Sequence, residues 1–300
     1  MEILSLSHIK KSFGGTAIIQ DISFSIPENC IFGFIGQNGA GKTTTMKMIL
    51  GLLAADEGEI RVCDKKVRYG QNDTNRYVGY LPDVPEFYDF MTPEEYLLLC
   101  GDITGMSRKE SLQRAKELLE MVGLEENRKR IAGFSRGMKQ RLGIAQALFH
   151  KPKLLICDEP TSALDPLGRK EVLDILVRAK EETTVLFSTH ILSDVERICD
   201  KVAFLHGGKI VLQGDMEEIK GKHTQRPVEV EFYRQEEMER FQKQYPGGTQ
   251  MHSLKLCYER KSNQDMLEMM RYLTEHQICP KSLERADSNL EDLFMEVVGA

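Results

Sequence analysis

No apolar run in the chain approaches the ~18 residues that a membrane-spanning helix needs. Its longest greasy segment, residues 46–55, contains Lys47 and Gly51 and is predicted to be a buried helix. Residues 1–13 hold no apolar stretch of signal-peptide length. The seven cysteines are scattered with no pair at C-x-x-C spacing. That pattern suits neither a zinc site nor a disulfide framework, and it fits a reducing cytosol. A basic excess is missing too: 40 Lys and Arg against 46 Asp and Glu leave a formal charge of −6. Nucleic acid is therefore not expected as the main partner, although a local basic patch stays open. There is no internal repeat, and only one glycine-rich phosphate loop is present. What remains is ordinary globular material, 41% hydrophobic and 29% charged, long enough for about two domains.

Strand and helix signals alternate through most of the chain, which predicts an α/β layer fold. Residues 4–9 and 18–26 alternate as an antiparallel β flap. The runs Ile31-Phe32-Gly33-Phe34-Ile35, Leu154-Leu155-Ile156-Cys157 and Thr184-Val185-Leu186-Phe187 are apolar throughout, as central strands buried on both faces are. Residues 92–126, rich in Leu, Glu and Lys at helical spacing, predict an inserted helical lobe. Asp165-Pro166 is an N-cap and first helical residue, opening a helix with Leu173, Leu176 and Val177 on one face. His206-Gly207-Gly208-Lys209 joins two strands as a hairpin. After a polar linker at 221–227 the character changes. The expected order is strand 228–233, helix 236–244, strand 251–258, helix 265–276, then a further strand and a last helix with Leu290, Leu293, Phe294 and Val297 on its apolar face.

The chemistry starts at Gly36-Gln37-Asn38-Gly39-Ala40-Gly41-Lys42-Thr43, with Thr44 next. The stretch fits G-x-x-x-x-G-K-[ST] and lies between an apolar strand and a helical run. Glycines let the backbone wrap a phosphate, and the N–H groups at the helix start favour an anion. A nucleotide polyphosphate is thus the expected ligand, with Lys42 on its β- and γ-phosphates and Thr43 on Mg²⁺. Phe13 offers a flat surface for adenine, a core phenylalanine being the alternative. Asp158 and Glu159 close a buried strand, where two uncompensated carboxylates would be costly without a metal and a proton-transfer task. Strand alternation is expected to send them to opposite faces, Asp158 to Mg²⁺ and Glu159 to the attacking water. His190, ending the next buried strand after Ser188-Thr189, is placed to reach the γ-phosphate.

Phe134-Ser135-Arg136-Gly137-Met138-Lys139-Gln140-Arg141 resembles the signature motif of ATP-binding cassette ATPases. The other motifs follow in that family's order: the phosphate loop, residues 154–159 as Walker B, Ser162-Ala163-Leu164-Asp165 as D-loop, and His190 as switch histidine. The resemblance covers about residues 1–215. It implies a P-loop NTPase of the cassette type at 1–220, with an antiparallel β subdomain and a helical lobe at about 84–150. Residues 221–300 would then form a small α+β domain for dimerisation or regulation. It further implies that Ser135, Gly137 and Asp165 meet ATP held by a second copy of the chain, head to tail. Tyr77-Val78-Gly79-Tyr80-Leu81-Pro82-Asp83 is similar to the lead-in of the Q-loop, with Asp83 where glutamine is usual and still able to touch Mg²⁺. That departure, together with Arg136, Met138 and the ending Leu290-Glu291-Asp292-Leu293-Phe294-Met295-Glu296, resembles exporter ATPases of the ABC-2 type. Such a subunit works at the inner face of the cell membrane on separate transmembrane permease subunits. A soluble cassette ATPase acting on nucleic acid or ribosomes, or a regulatory subunit, are the alternatives.

Overall fold

In the computed structural model the described residues are 2–71, 73–125, 129–222, 227–259, 262–285 and 290. The described residues divide into two compact units, one within Met1–Met216 and one within Glu217–Glu296.

The first unit opens with long strands β1 (Glu2–Phe13) and β2 (Thr16–Pro27), paired antiparallel. Strand β3 (Ile31–Ile35) is buried at every residue and runs into the phosphate loop and α1 (Lys42–Ile49). The helix predicted at 46–55 thus starts earlier and stops earlier. Its N–H groups begin at the loop itself, and Gly51 at φ 69° turns the chain out of it. Strands β4 (Glu57–Val62) and β5 (Lys65–Lys66) extend the β1 side of the sheet, and β6 (Val78–Leu81) lies at its other edge.

The helical lobe holds α2 (Pro93–Thr104) and α3 (Arg108–Met121), each opened by a capping box, Thr92 with Glu95 and Ser107 with Glu110. Gly105 at φ 74° separates them. Helix α4 (Arg136–Leu148) buries Leu142 and Ala145, and Phe149 at its C-cap is buried too. There follow β7 (Leu154–Asp158), α5 (Pro166–Ala179), β8 (Thr184–Thr189), α6 (Leu192–Ile198), β9 (Lys201–His206) and β10 (Lys209–Asp215). On α5 the buried face is Val172, Leu173, Leu176 and Ala179, whereas Val177 is exposed. Leu173 and Leu176 are buried as expected, and Val177 falls outside the buried face because a step of about 100° per residue carries it past Leu173 on the side away from Leu176. Gly207 and Gly208, both at positive φ, form the two-residue turn between β9 and β10.

The sheet order is β5-β4-β1-β2-β10-β9-β3-β8-β7-β6. Strands β9, β3, β8, β7 and β6 are parallel neighbours. The ends of β3, β8 and β7 consequently deliver the phosphate loop, His190 and the two acids to one edge of the sheet.

Helix α7 (Met216–Lys222) extends over the first residues that read as linker, and 223–226 lie outside the described residues. The second unit then contains β11 (Val228–Glu231), α8 (Gln235–Gln244), β12 (Thr249–His252), β13 (Lys255–Tyr258), α9 (Asn263–Glu275) and β14 (Ser282–Arg285). The single strand expected at 251–258 is a hairpin, since Ser253 and Leu254 turn the chain. The antiparallel order β12-β13-β11-β14 with βαββαβ connectivity is the ferredoxin-like arrangement. Val228, Val230, Leu256 and Tyr258 pack with Met238, Phe241, Met269 and Leu273 in its own core. Of the last helix only Leu290 is described, helical and buried. Leu293, Phe294, Val297 and the rest of that ending lie outside the described residues.

Candidate active site

The loop from Gly36 to Gly41 turns twice through positive φ, at Gly39 (83°) and Gly41 (109°). A Cβ on Gly41 would stand 2.5 Å from Ile19 Cδ1, and one on Gly36 2.7 Å from the Leu205 carbonyl oxygen. Gly41 is therefore required by its left-handed backbone, and Gly36 by the space the Leu205 carbonyl leaves. Ala40 N–H donates to the Gln37 carbonyl at 3.1 Å and tightens the loop. The Lys42 side chain is only 6% exposed. Its Nζ donates to the carbonyl oxygens of Gly36 (2.6 Å) and Gln37 (3.2 Å).

Asp158, 3% exposed, accepts from Thr43 Oγ1 and from Ser188 Oγ, each at 2.7 Å. Ser188 was not singled out from the sequence. Its only sequence signal is a small polar residue following the apolar run Val185-Leu186-Phe187, and the β7–β8 register sets it beside Asp158. Glu159 lies beyond the last residue of β7 at φ 49°, and its N–H donates to the Ser188 carbonyl and hydroxyl oxygens. Strand alternation is thus not what separates the two acids, because the left-handed turn at Glu159 does so. Glu159 Oε2 faces His190 Nδ1 at 2.9 Å, and Oε1 stands 3.0 Å from Lys42 Nζ. That second contact is charge to charge, since no donor hydrogen is directed at the buried Oε1. A buried carboxylate oxygen beside a lysine and a histidine can take a proton from a water placed against it.

Phe13, Ile18, Asn38, Thr44 and Asp83 join these residues around one cleft of about 510 Å³. Phe13 is 49% exposed, so it is not a core residue, and its ring is open to a flat ligand. Ile18 beside it was missed, as an isoleucine in a strand carries no functional signal. Thr43 and Asp158 present a hydroxyl and a carboxylate at hydrogen-bond separation, a hard oxygen pair that fits Mg²⁺.

Ser135, Gly137 and Asp165 are not brought to that cleft. They line a second depression with Arg136, Ala163 and Leu164, which shares no residue with the first. Ser135 caps α4 by accepting from Met138 N–H at 3.2 Å, and Asp165 caps α5 by accepting from Gly168 N–H at 3.2 Å. A Cβ on Gly137 would meet nothing nearer than 3.9 Å, so the start of α4 is open to a ligand.

A family model described as "ABC transporter" matches residues 19–162. The bacitracin transport ATP-binding protein BcrA of Bacillus licheniformis is 33% identical over 99% of this chain and 97% of its own. The chain belongs to the ABC transporter family. Within it, this cassette is 46% identical to the uncharacterized ATP-binding protein YxlF of Bacillus subtilis, over 73% of this chain and 72% of that one. The linearmycin resistance ATP-binding protein LnrL of Bacillus subtilis is 32% identical over 99% and 98%. A solved ATP-binding subunit of an ABC transporter superposes with a TM-score of 0.66 at 33% identity, covering 73% of this chain and 92% of that one. The protein is accordingly a cassette ATPase, its ATP hydrolysis coupled to transport. No helix among the described residues is long and apolar enough to cross a membrane.

Proposed function

We propose that two copies of this cassette bind ATP head to tail and drive a bacterial exporter of the ABC-2 type through separate membrane-spanning permeases. The observation that carries the reading is the split site. Lys42, Asp158 and Glu159 line one depression of the chain, and Ser135, Gly137 and Asp165 another. Each half is incomplete alone, and each carries what the other lacks. The full-length likeness to bacitracin transport and linearmycin resistance proteins supports export of an antibiotic-like cargo. The subunit would then sit at the inner face of the membrane.

In this reading Phe13 stacks on adenine, and residues 36–41 with Thr44 wrap the phosphates by backbone N–H groups. Lys42 leaves its carbonyl partners for the β- and γ-phosphates. Thr43 and Asp158 would hold Mg²⁺, with Asp83 able to turn toward it, and the metal would supply neutralisation of the phosphate charge. Glu159 takes the proton of the attacking water while His190 holds the carboxylate and faces the γ-phosphate. Ser135 and the open start of α4 meet the same phosphate from the second copy, and Asp165 lies beside them. Residues 221–300 form a separate domain that supports the dimer or regulates it.

Complementation tests the split site. Lys42→Ala and Ser135→Arg each disable both sites of their own dimer. A mixed dimer regains one intact site, so an equal mixture should recover about a quarter of wild-type turnover. A mixture as inactive as its components would place the whole site in one chain. Copurification with a membrane protein encoded beside the gene tests the exporter assignment.

A further inference from the structure

The two departures from the usual motifs meet each other. Asp83 Oδ1 accepts from Ser162 Oγ at 2.6 Å and from Arg136 Nη2 at 3.4 Å, and Arg136 Nη2 also lies 3.5 Å from Ser162 Oγ. Gln140, fully buried on α4, donates to the Asp83 backbone carbonyl at 2.6 Å. One carboxylate thus touches the loop after β6, the loop after β7 and the first residue of α4. It also lines the cleft that holds Thr43 and Asp158.

Arg136 is oddly placed for a structural cation. It is the first residue of α4, whose first turn contains no acid, and a positive charge at a helix N-terminus is disfavoured. The position suits an anion, and within one chain the anion Arg136 holds is Asp83. Their side chains are 46% and 50% exposed, so the pair is held weakly and can be exchanged.

We propose that Arg136 exchanges the Asp83 carboxylate for the terminal phosphate of ATP carried by the second copy, and that this exchange couples the two sites. A phosphate offers Arg136 more charge and more acceptor oxygens than the single Asp83 oxygen it now meets. Its arrival releases Asp83 toward the metal side of its own cleft. Occupancy of one composite site therefore prepares the other, and Ser162 is the hydrogen-bond donor that opposes release. The inference rests on the head-to-tail reading above.

Opposite signs test it. On a Glu159→Gln background, which blocks hydrolysis, the ATP concentration for half-maximal self-association is read by sedimentation velocity. Ser162→Ala removes the strongest bond on Asp83 and should lower that concentration about threefold or more. Arg136→Gln removes the cation offered to the phosphate and should raise it at least about tenfold, with Arg136→Lys in between. A merely structural triad would shift all variants in one direction, and that result, or no shift, overturns the exchange alone. A Glu159→Gln parent that binds ATP and never self-associates overturns the head-to-tail reading, and the exchange with it.

Discussion

Replacing Glu159 by glutamine separates proton abstraction from nucleotide binding, and the two effects have opposite signs. The shape of the site survives, because Glu159 holds its left-handed φ of 49° through backbone bonds to Ser188 that glutamine keeps. What disappears is the carboxylate charge facing His190 at 2.9 Å and Lys42 at 3.0 Å. Without a general base, turnover should fall about 10²–10⁴-fold, which is about 3–5 kcal/mol of barrier. Lys42 meanwhile loses a competitor for the phosphates, and before ATP arrives it is held only by the Gly36 and Gln37 carbonyls. At an effective dielectric near 20, charges 3.0 Å apart attract by about 5 kcal/mol. Most of this is offset by desolvation of the two charges, with side chains 6% and 13% exposed. A net of about 1 kcal/mol, or about fivefold tighter ATP binding, is the expected remainder. Phosphate release and equilibrium binding of a fluorescent ATP analogue measure the two effects on one preparation. Turnover within tenfold of wild type would remove Glu159 from proton transfer, and weaker binding would refute the competition at Lys42.

Lys42→Ala should erase the thermal stabilisation by ATP. At about 100 times the dissociation constant, ATP adds about 2.7 kcal/mol to the wild type, and an equal rise in the variant would move the site elsewhere. Gly79→Ala would set a Cβ 2.1 Å from the Ala147 carbonyl oxygen, a clash between β6 and α4. It should cost about 1–3 kcal/mol, and an unchanged denaturant midpoint would contradict that packing. Burial raises the Cys30 thiol from its ordinary 9.0 to about 11. Between those values the unfolded chain has lost this proton and the folded chain has kept it, so stability falls as pH rises. Cys30→Ala should flatten that fall in urea titrations across the window, and an identical slope would exclude the thiol. A chain ending at residue 222 should fold and bind ATP, since the nucleotide residues all precede it; an insoluble product, or loss of ATP affinity, would tie the appendage to the cassette core.

The local chemistry was fixed by the sequence alone. Gly36 to Thr43 spells a loop whose glycines and lysine suit phosphate, and that fit depends only on neighbours in the chain. Buried strands such as 31–35 were legible because every residue in them is apolar, and the Asp165-Pro166 cap because it acts on its own helix. Tertiary structure decided what depends on residues far apart in sequence. The bonds from Ser188 and Thr43 to Asp158 exist because β3, β8 and β7 are adjacent, an order that no local pattern encodes. The orientation of Glu159 came from a left-handed turn, whereas alternation along the strand had suggested another cause. The hairpin at 249–258 read as one strand because its turn residues, Ser253 and Leu254, carry no glycine signal. Asp83 and Arg136 looked like separate departures, and Ser162 like an ordinary residue of the D-loop, along 80 residues of chain. Only folding places them within 3.5 Å of one another, where charge and hydrogen bonding make them a single device.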